Sequence, residues 1–194
     1  MVREKVVSNP VEYEELDDDS GKVAKITFYS FTENSYTHFK EALDKANKAG
    51  IKNIILDLRN NGGGYLDQAI KIADEFLPEG MIITHEDHKV NVLDSLYVAK
   101  GEDTDYNAVV LINGMSASAS EVLTAALKEN GKAKVIGETS FGKGTVQTIS
   151  GLSNGGVMKY TIAYYLTPKG NNIHKLGITP DAVVENSYKE LWEQ

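Results

Sequence analysis

Apolar positions along the chain recur at two spacings, and the two alternate. Residues 23–28 (VAKITF) put apolar side chains at every second position, the mark of a strand with one face buried. From Ser35 the spacing lengthens, and Phe39, Ala42, Leu43 and Ala46 share one face of a helix that Gly50 stops. Residues 53–58 (NIILDL) are a short apolar run of the kind found in strands covered on both faces. A glycine loop at 60–64 leads into a helix over 66–76, with Leu66, Ile70, Ala73 and Phe76 or Leu77 on one side, and Pro78-Glu79-Gly80 ends it. Residues 81–84 predict a strand, 108–112 (AVVLI) a second buried strand closed by Asn113-Gly114, and 118–127 a helix that stops near Asn130-Gly131. A short strand at 134–136 precedes a second glycine-bearing loop at 137–144. Residues 145–149 and 157–165 pair as a hairpin around Ser153-Asn154-Gly155-Gly156. The tail predicts a short strand at 182–184 and a last helical turn. Residues 1–20 are acidic and poorly patterned, with a turn at 17–21, and 86–107 are polar without a clear period.

Strands alternating with helices imply an α/β fold with a largely parallel sheet. There is no internal repeat or low-complexity linker, and 194 residues suit one domain. The net charge of −8 gives no general electrostatic handle on a phosphate backbone, which argues against a nucleic-acid partner. Cys is absent, which excludes disulfides, thiol catalysis and Cys-based zinc sites. Only four His are present, so general bases and metal ligands of that kind are scarce. No apolar stretch is long enough to span a bilayer, and Met1-Val2-Arg3-Glu4-Lys5 is followed by no apolar run of a signal peptide.

Three loops follow buried strands, at the edge where α/β folds assemble their sites. They run over residues 57–64, 113–121 and 137–144. The third matches the first seven positions of the phosphate loop G-x-x-x-x-G-K-[ST], which raises a nucleotide-hydrolase reading, with Asp57 as the magnesium-side acid. Gly144 replaces the required hydroxyl, and the β-branched residues after it predict a strand where a phosphate loop needs a helix. In the second loop Ser116, Ser118 and Ser120 alternate with Ala where a helix begins. Serine caps helices, and a serine at a helix start can also act as a nucleophile beside amides that hold an oxyanion. A base is then required. His38, His85, His88 and His174 show no partner pattern, whereas Lys143, between Gly142 and Gly144, can serve if its amine is neutral.

Ser116-Ala117-Ser118-Ala119-Ser120-Glu121, followed by Phe141-Gly142-Lys143-Gly144 and Gln147, resembles the carboxyl-terminal processing peptidases, or tail-specific proteases. Asp57-Leu58-Arg59-x-Asn61-x-Gly63-Gly64, Thr167-Pro168-x-Gly170 and Gly177-Ile178-x-Pro180-Asp181 belong to the same pattern, in order, over nearly the whole chain. The resemblance implies an α/β, ClpP/crotonase-like spiral core with a largely parallel sheet. It puts the nucleophile on Ser118, the general base on Lys143 at the family's spacing, and the lysine-holding glutamine on Gln147. The oxyanion hole falls on the amides of Ala119 and of Gly64, with Gly63 beside it. Asp57 and Arg59 are read as bracing the loop.

The resemblance implies a serine endopeptidase that cleaves near the C-terminus of protein substrates through an acyl-enzyme, with no metal or cofactor. Its substrates would be proteins or peptides with unstructured C-termini, and a homo-oligomer is left open. Residues 1–194 are then a single protease core, with 1–20 leaving an upstream PDZ domain of the parent chain, 21–185 the catalytic core and 186–194 a C-terminal tail. The family implies an extracytoplasmic home, with the parent membrane-anchored or secreted and this segment soluble. The alternative is a catalytically silent peptide-binding core of a multidomain protein.

Overall fold

The fold is described from a computed structural model, over residues 9–18, 21–89, 94–101 and 104–184. Its centre is four parallel strands: β2 (Gly21–Phe28), β3 (Asn53–Asp57), β6 (Asn107–Ile112) and β7 (Ala133–Gly137). Their register lines up Ile26, Leu56, Val110 and Val135 across the sheet, and none of the four side chains reaches solvent. A row of such residues on one face is what fixes register, since a slip of one position would turn every one of them outward. β1 (Val11–Asp18) adds antiparallel to β2, and β10 (Ala182–Val183) adds parallel to β7. The order is β1-β2-β3-β6-β7-β10.

The helices α1 (Ser35–Lys48), α2 (Leu66–Asp74) and α3 (Ala119–Glu129) contribute buried faces to the same core. In α1 these are the residues expected from helical spacing, Phe39, Ala42, Leu43 and Ala46. Phe28, Phe31, Phe39 and Phe76 stack in series with ring centroids 5.6–6.0 Å apart, joining the sheet to α1 and to the turn after α2. α3 is buried from Ala119 through Leu127, the pattern of a central helix. A second sheet is antiparallel, in the order β5-β4-β9-β8, from β4 (Ile82–His88), β5 (Ser95–Val98), β8 (Thr145–Gly151) and β9 (Val157–Leu166). Among the described residues β8 is an edge, with β9 on one side and no strand on the other.

The elements match the expected alternation, with two strands that the pattern did not show. β1 lies in the acidic segment expected to precede the core, and it is the outer strand of the core sheet. Glu12, Glu14, Glu15 and Asp17 are exposed, and two of them meet lysines of β2, Glu14 with Lys25 and Glu15 with Lys22, both at 3.4 Å. Such an edge strand hides only alternate residues, and charges at its exposed positions mask the period. β5 falls in the polar region read as unpatterned, and β4 runs on to His88 against the expected end at 84. α2 ends at Asp74 rather than 76, where the Phe76 N–H bonds the Ala73 carbonyl in a tightened turn. The expected helical turn after 184 lies outside the described residues. No helix among the described residues is long and apolar enough to cross a membrane.

Candidate active site

All three loops singled out in the sequence leave the same edge of the parallel sheet, after β3, β6 and β7. They are sewn together by short polar side chains. The Asn60 N–H donates to Asn113 Oδ1, and the Asn113 side-chain amide returns a bond to Asn60 Oδ1, both at 2.9 Å. Asn61 is fully buried, donates to the Phe28 carbonyl (2.9 Å), and accepts the Ala117 N–H on its own carbonyl (3.0 Å). Asp57 holds Arg59 through two side-chain bonds of 2.9 and 2.6 Å, the bracing expected of this pair.

The serines separate by what they touch. Ser116 Oγ donates to the Leu58 carbonyl (2.8 Å) and accepts the Asn113 N–H (3.0 Å). Ser120 Oγ donates to the Asn61 carbonyl (2.9 Å). Both are fully buried and hold the serine loop against the glycine loop. Ser118 is half-buried and lines an open cavity of about 320 Å³ with Lys143, Thr145, Val146, Gln147, Ile149, Lys159 and Tyr165. Its backbone has φ 58° and ψ −117°, a conformation that residues with a Cβ rarely take, at the start of α3. The helix start also carries positive partial charge and N–H groups without intrahelical partners.

The glycine loop stands directly behind Ser118. A Cβ at Gly63 would lie 2.6 Å from the Ala117 carbonyl oxygen, 2.8 Å from Ser118 Cβ and 3.0 Å from the Ala119 nitrogen. Only glycine permits that approach, and its φ of +97° asks for glycine as well. The Gly63 N–H is engaged, donating to Asn61 Oδ1 at 2.9 Å. Gly64 follows, held by the bonds that flank it, Phe31 N–H to the Gly63 carbonyl (3.0 Å) and Tyr65 N–H to the Phe31 carbonyl (2.8 Å). Of the glycine and alanine positions named from the sequence, Gly63 stands against Ser118 and Ala119, and Gly64, next in the chain, packs on the Phe31 backbone.

Lys143 and Gln147 are exposed and border the same cavity as Ser118. The loop that carries Lys143 leads into β8, a strand, where a phosphate loop leads into a helix. None of the four His lines this cavity. His88 bonds Glu86, and His38 bonds Asn34. Tyr165 closes one wall; burial first, then the charges of Glu86 and Tyr97, push its phenol up to about 12, so it remains a neutral hydroxyl. No cluster of His, Asp and Glu with metal-binding geometry occurs among the described residues.

One residue of the serine motif has a place that the motif did not reveal. Glu121, almost fully buried, accepts the Ser118 N–H (2.8 Å) and the Lys143 N–H (2.8 Å) on Oε2. On Oε1 it accepts the Ser140 hydroxyl (2.6 Å) and the Gly142 N–H (2.7 Å). The Ser-x-x-Glu spacing of a helix capping box was the available signal, and it accounts for the first of these bonds alone. The Gly177-Ile178-x-Pro180-Asp181 segment backs this loop. The Ile178 N–H donates to Ser140 Oγ (2.7 Å), the Lys175 N–H to the Gly142 carbonyl (2.8 Å), and Asp181 anchors the segment on the Val135 N–H (2.8 Å).

Fold and cluster together define an α/β protein whose sheet edge brings a strained serine and a lysine to one open cavity, with a glycine loop behind the serine. The chain belongs to peptidase family S41, whose pattern it matches over residues 22–184. It is 42% identical over 192 residues to a probable CtpA-like serine protease of Staphylococcus aureus (strain bovine RF122 / ET3-1), a match that covers 97% of this chain and 38% of that one. The chain thus spans well under half the length of that curated relative. Among solved structures it is similar to a photosystem II D1 C-terminal processing protease, with a TM-score of 0.85 and 31% identity over 95% of this chain and 50% of that one. A lipoprotein from Streptococcus agalactiae shares the fold at 21% identity and a TM-score of 0.72, covering 96% of this chain and 69% of that one.

Proposed function

We propose that this chain is the catalytic core of a serine peptidase that cuts protein substrates near their C-termini through a Ser118–Lys143 dyad. The observation that carries the reading is the sorting of the serines. Ser116 and Ser120 are bonded into the core, and Ser118 is left facing the cavity that Lys143 borders. In the reaction the neutral Lys143 amine takes the Ser118 proton, and Ser118 Oγ attacks the peptide carbonyl. The Gly64 and Ala119 amides receive the oxyanion, while Gly63 permits the close approach, its own N–H being held by Asn61. The lysine ammonium then protonates the leaving amine, and water activated by the same lysine releases the acyl-enzyme. Gln147 steadies the lysine from β8. Removing one oxyanion donor from such a site costs on the order of a hundredfold in rate.

The cavity takes in consecutive residues Thr145, Val146 and Gln147, so it reaches the edge of β8 as well as its face. An extended substrate segment laid along that edge would bond to its backbone, as in β-strand addition. It would also cover Lys143 and exclude water, the surroundings in which an amine is held neutral. The D1 processing protease acts by its name at a C-terminus, and the same site of action is proposed for the parent of this chain. An upstream PDZ domain and an extracytoplasmic location complete the proposal, the second supported by the lipoprotein that shares the fold.

The test is cleavage of peptides with unstructured C-termini by the full-length protein. Ser118→Ala and Lys143→Ala are each expected to abolish it, and wild-type turnover in Ser118→Ala would overturn the reading. The exposure of Lys143 favours a second reading, a catalytically silent peptide-binding core. Tight peptide binding without turnover in the full-length protein would select it.

A further inference from the structure

We propose that Glu121 is the positioning residue that sets Ser118 and Lys143 in register with each other. The proposal rests on the dyad reading above and goes beyond it. A helix cap needs one bond from Glu121, to the Ser118 N–H. The carboxylate makes three more, and all reach the loop at 140–143, outside the helix. One oxygen, Oε2, takes the backbone N–H of both dyad residues at 2.8 Å. Two nitrogens bound to one oxygen can stand no farther apart than twice that distance. The starting points of the two side chains are therefore tied to a single atom, although they come from different loops.

Each part of the surroundings supports a positioning role. Ser118 is held at positive φ, and its N–H bond to Glu121 secures that strained backbone. Oε1 holds Gly142, next to Lys143, and Ser140, whose hydroxyl in turn accepts the Ile178 N–H. An ionised carboxylate has about four acceptor sites, and here four donors fill them. The side chain is 1% exposed at the residue level and is directed at the amides rather than at the cavity lining, so it touches no reacting atom. Glutamine replaces it poorly. Its NH₂ would face the Ser118 and Lys143 N–H groups in one orientation, and in the other the Gly142 N–H, with the Ser140 hydroxyl forced to turn from donor to acceptor, so at least one bond is lost while size is kept.

The test compares the full-length wild type with Glu121→Gln, Ser140→Ala, the double variant and Thr124→Val, a control that removes a buried hydroxyl bond from the same helix. Two readouts are taken: the rate at which a serine-reactive fluorophosphonate labels Ser118, and kcat and KM on an unstructured peptide. Glu121→Gln is expected to label and turn over at least about tenfold slower, with KM changed by less than about twofold, because misplaced reacting groups lower the rate of chemistry rather than binding. Ser140→Ala is expected to slow labelling about threefold and to add little in the Glu121→Gln background, since coupled residues are not additive. Thr124→Val is expected to label at the wild-type rate. Wild-type labelling by Glu121→Gln, or the same slowing in Thr124→Val at equal loss of stability, overturns the proposal. Should Glu121→Gln fail to fold, Ser140→Ala decides: slowed labelling with unchanged KM supports the proposal and wild-type labelling overturns it. A wild type that never labels at Ser118 overturns the dyad reading itself, a result distinct from the others.

Discussion

Ser118 is the middle one of three serines, and nothing in its own composition marks it. The motif pointed to it by resemblance; the physical distinction lies in its neighbours, because Ser116 and Ser120 spend their hydroxyls on the Leu58 and Asn61 carbonyls. Those carbonyls belong to a loop far away in sequence, so the sorting was not legible from spacing. Glu121 was missed for the same reason, since three of its four partners lie about twenty residues further on. The backbone of Ser118 carries a prediction at this scale. A non-glycine residue at φ 58°, ψ −117° stores roughly 1–3 kcal/mol, while glycine loses about 0.5–1 kcal/mol more in entropy on folding. Ser118→Gly is therefore expected to be inactive and more stable than Ser118→Ala by about 1 kcal/mol. Urea denaturation of the two variants checks it, and equal midpoints would show that the strain there does not exceed the entropy cost of glycine.

The elements were legible where one face is buried against a regular partner. α1 was legible from its helical spacing and β3 and β6 from their apolar runs, and for these and β7 the expected and observed limits differ by about a residue or two. β1 was not legible, because an acidic edge strand shows its period to only one neighbour. The loops at the site were legible as loops from their glycines and serines, but their mutual contacts were not. The segment from Gly177 to Asp181 shows what such contacts do. The Asp181 carboxyl is held below the usual range, first by the Val135 N–H and then by Lys128, 3.3 Å away. A lowered folded value means that Asp181 stabilises the fold above the ordinary Asp value of about 4 and that this stabilisation is lost as pH falls through the lower folded value. Asp181→Asn is expected to unfold at lower urea than wild type at pH 7, with the gap closing toward pH 3. Denaturation midpoints at the two pH values test this, and a gap that is the same at both would refute it.

On the scale of the molecule, an overall charge of −8 contrasts with a cavity whose lining holds Lys143 and Lys159 and no acidic residue. The chain spans 38% of a relative's length, and the chemistry proposed here needs only residues within it. Cleavage by the full-length protein is expected to fall at least about tenfold when the susceptible segment of a test substrate is stapled into a helix, with its sequence kept. Equal cleavage of stapled and free segments, followed by mass spectrometry, would count against the edge-strand mode of binding.

In the proposed mode of binding, the edge of β8, free among the described residues, would act as a judge of foldedness. A strand edge offers N–H and C=O groups, and only a segment that has not already bonded its own backbone can answer them. Selection of that kind needs no recognition of a particular side chain and no lid to keep native proteins out. In the proposed peptidase it would let one site take segments of many sequences and would spare any segment whose backbone is already bonded.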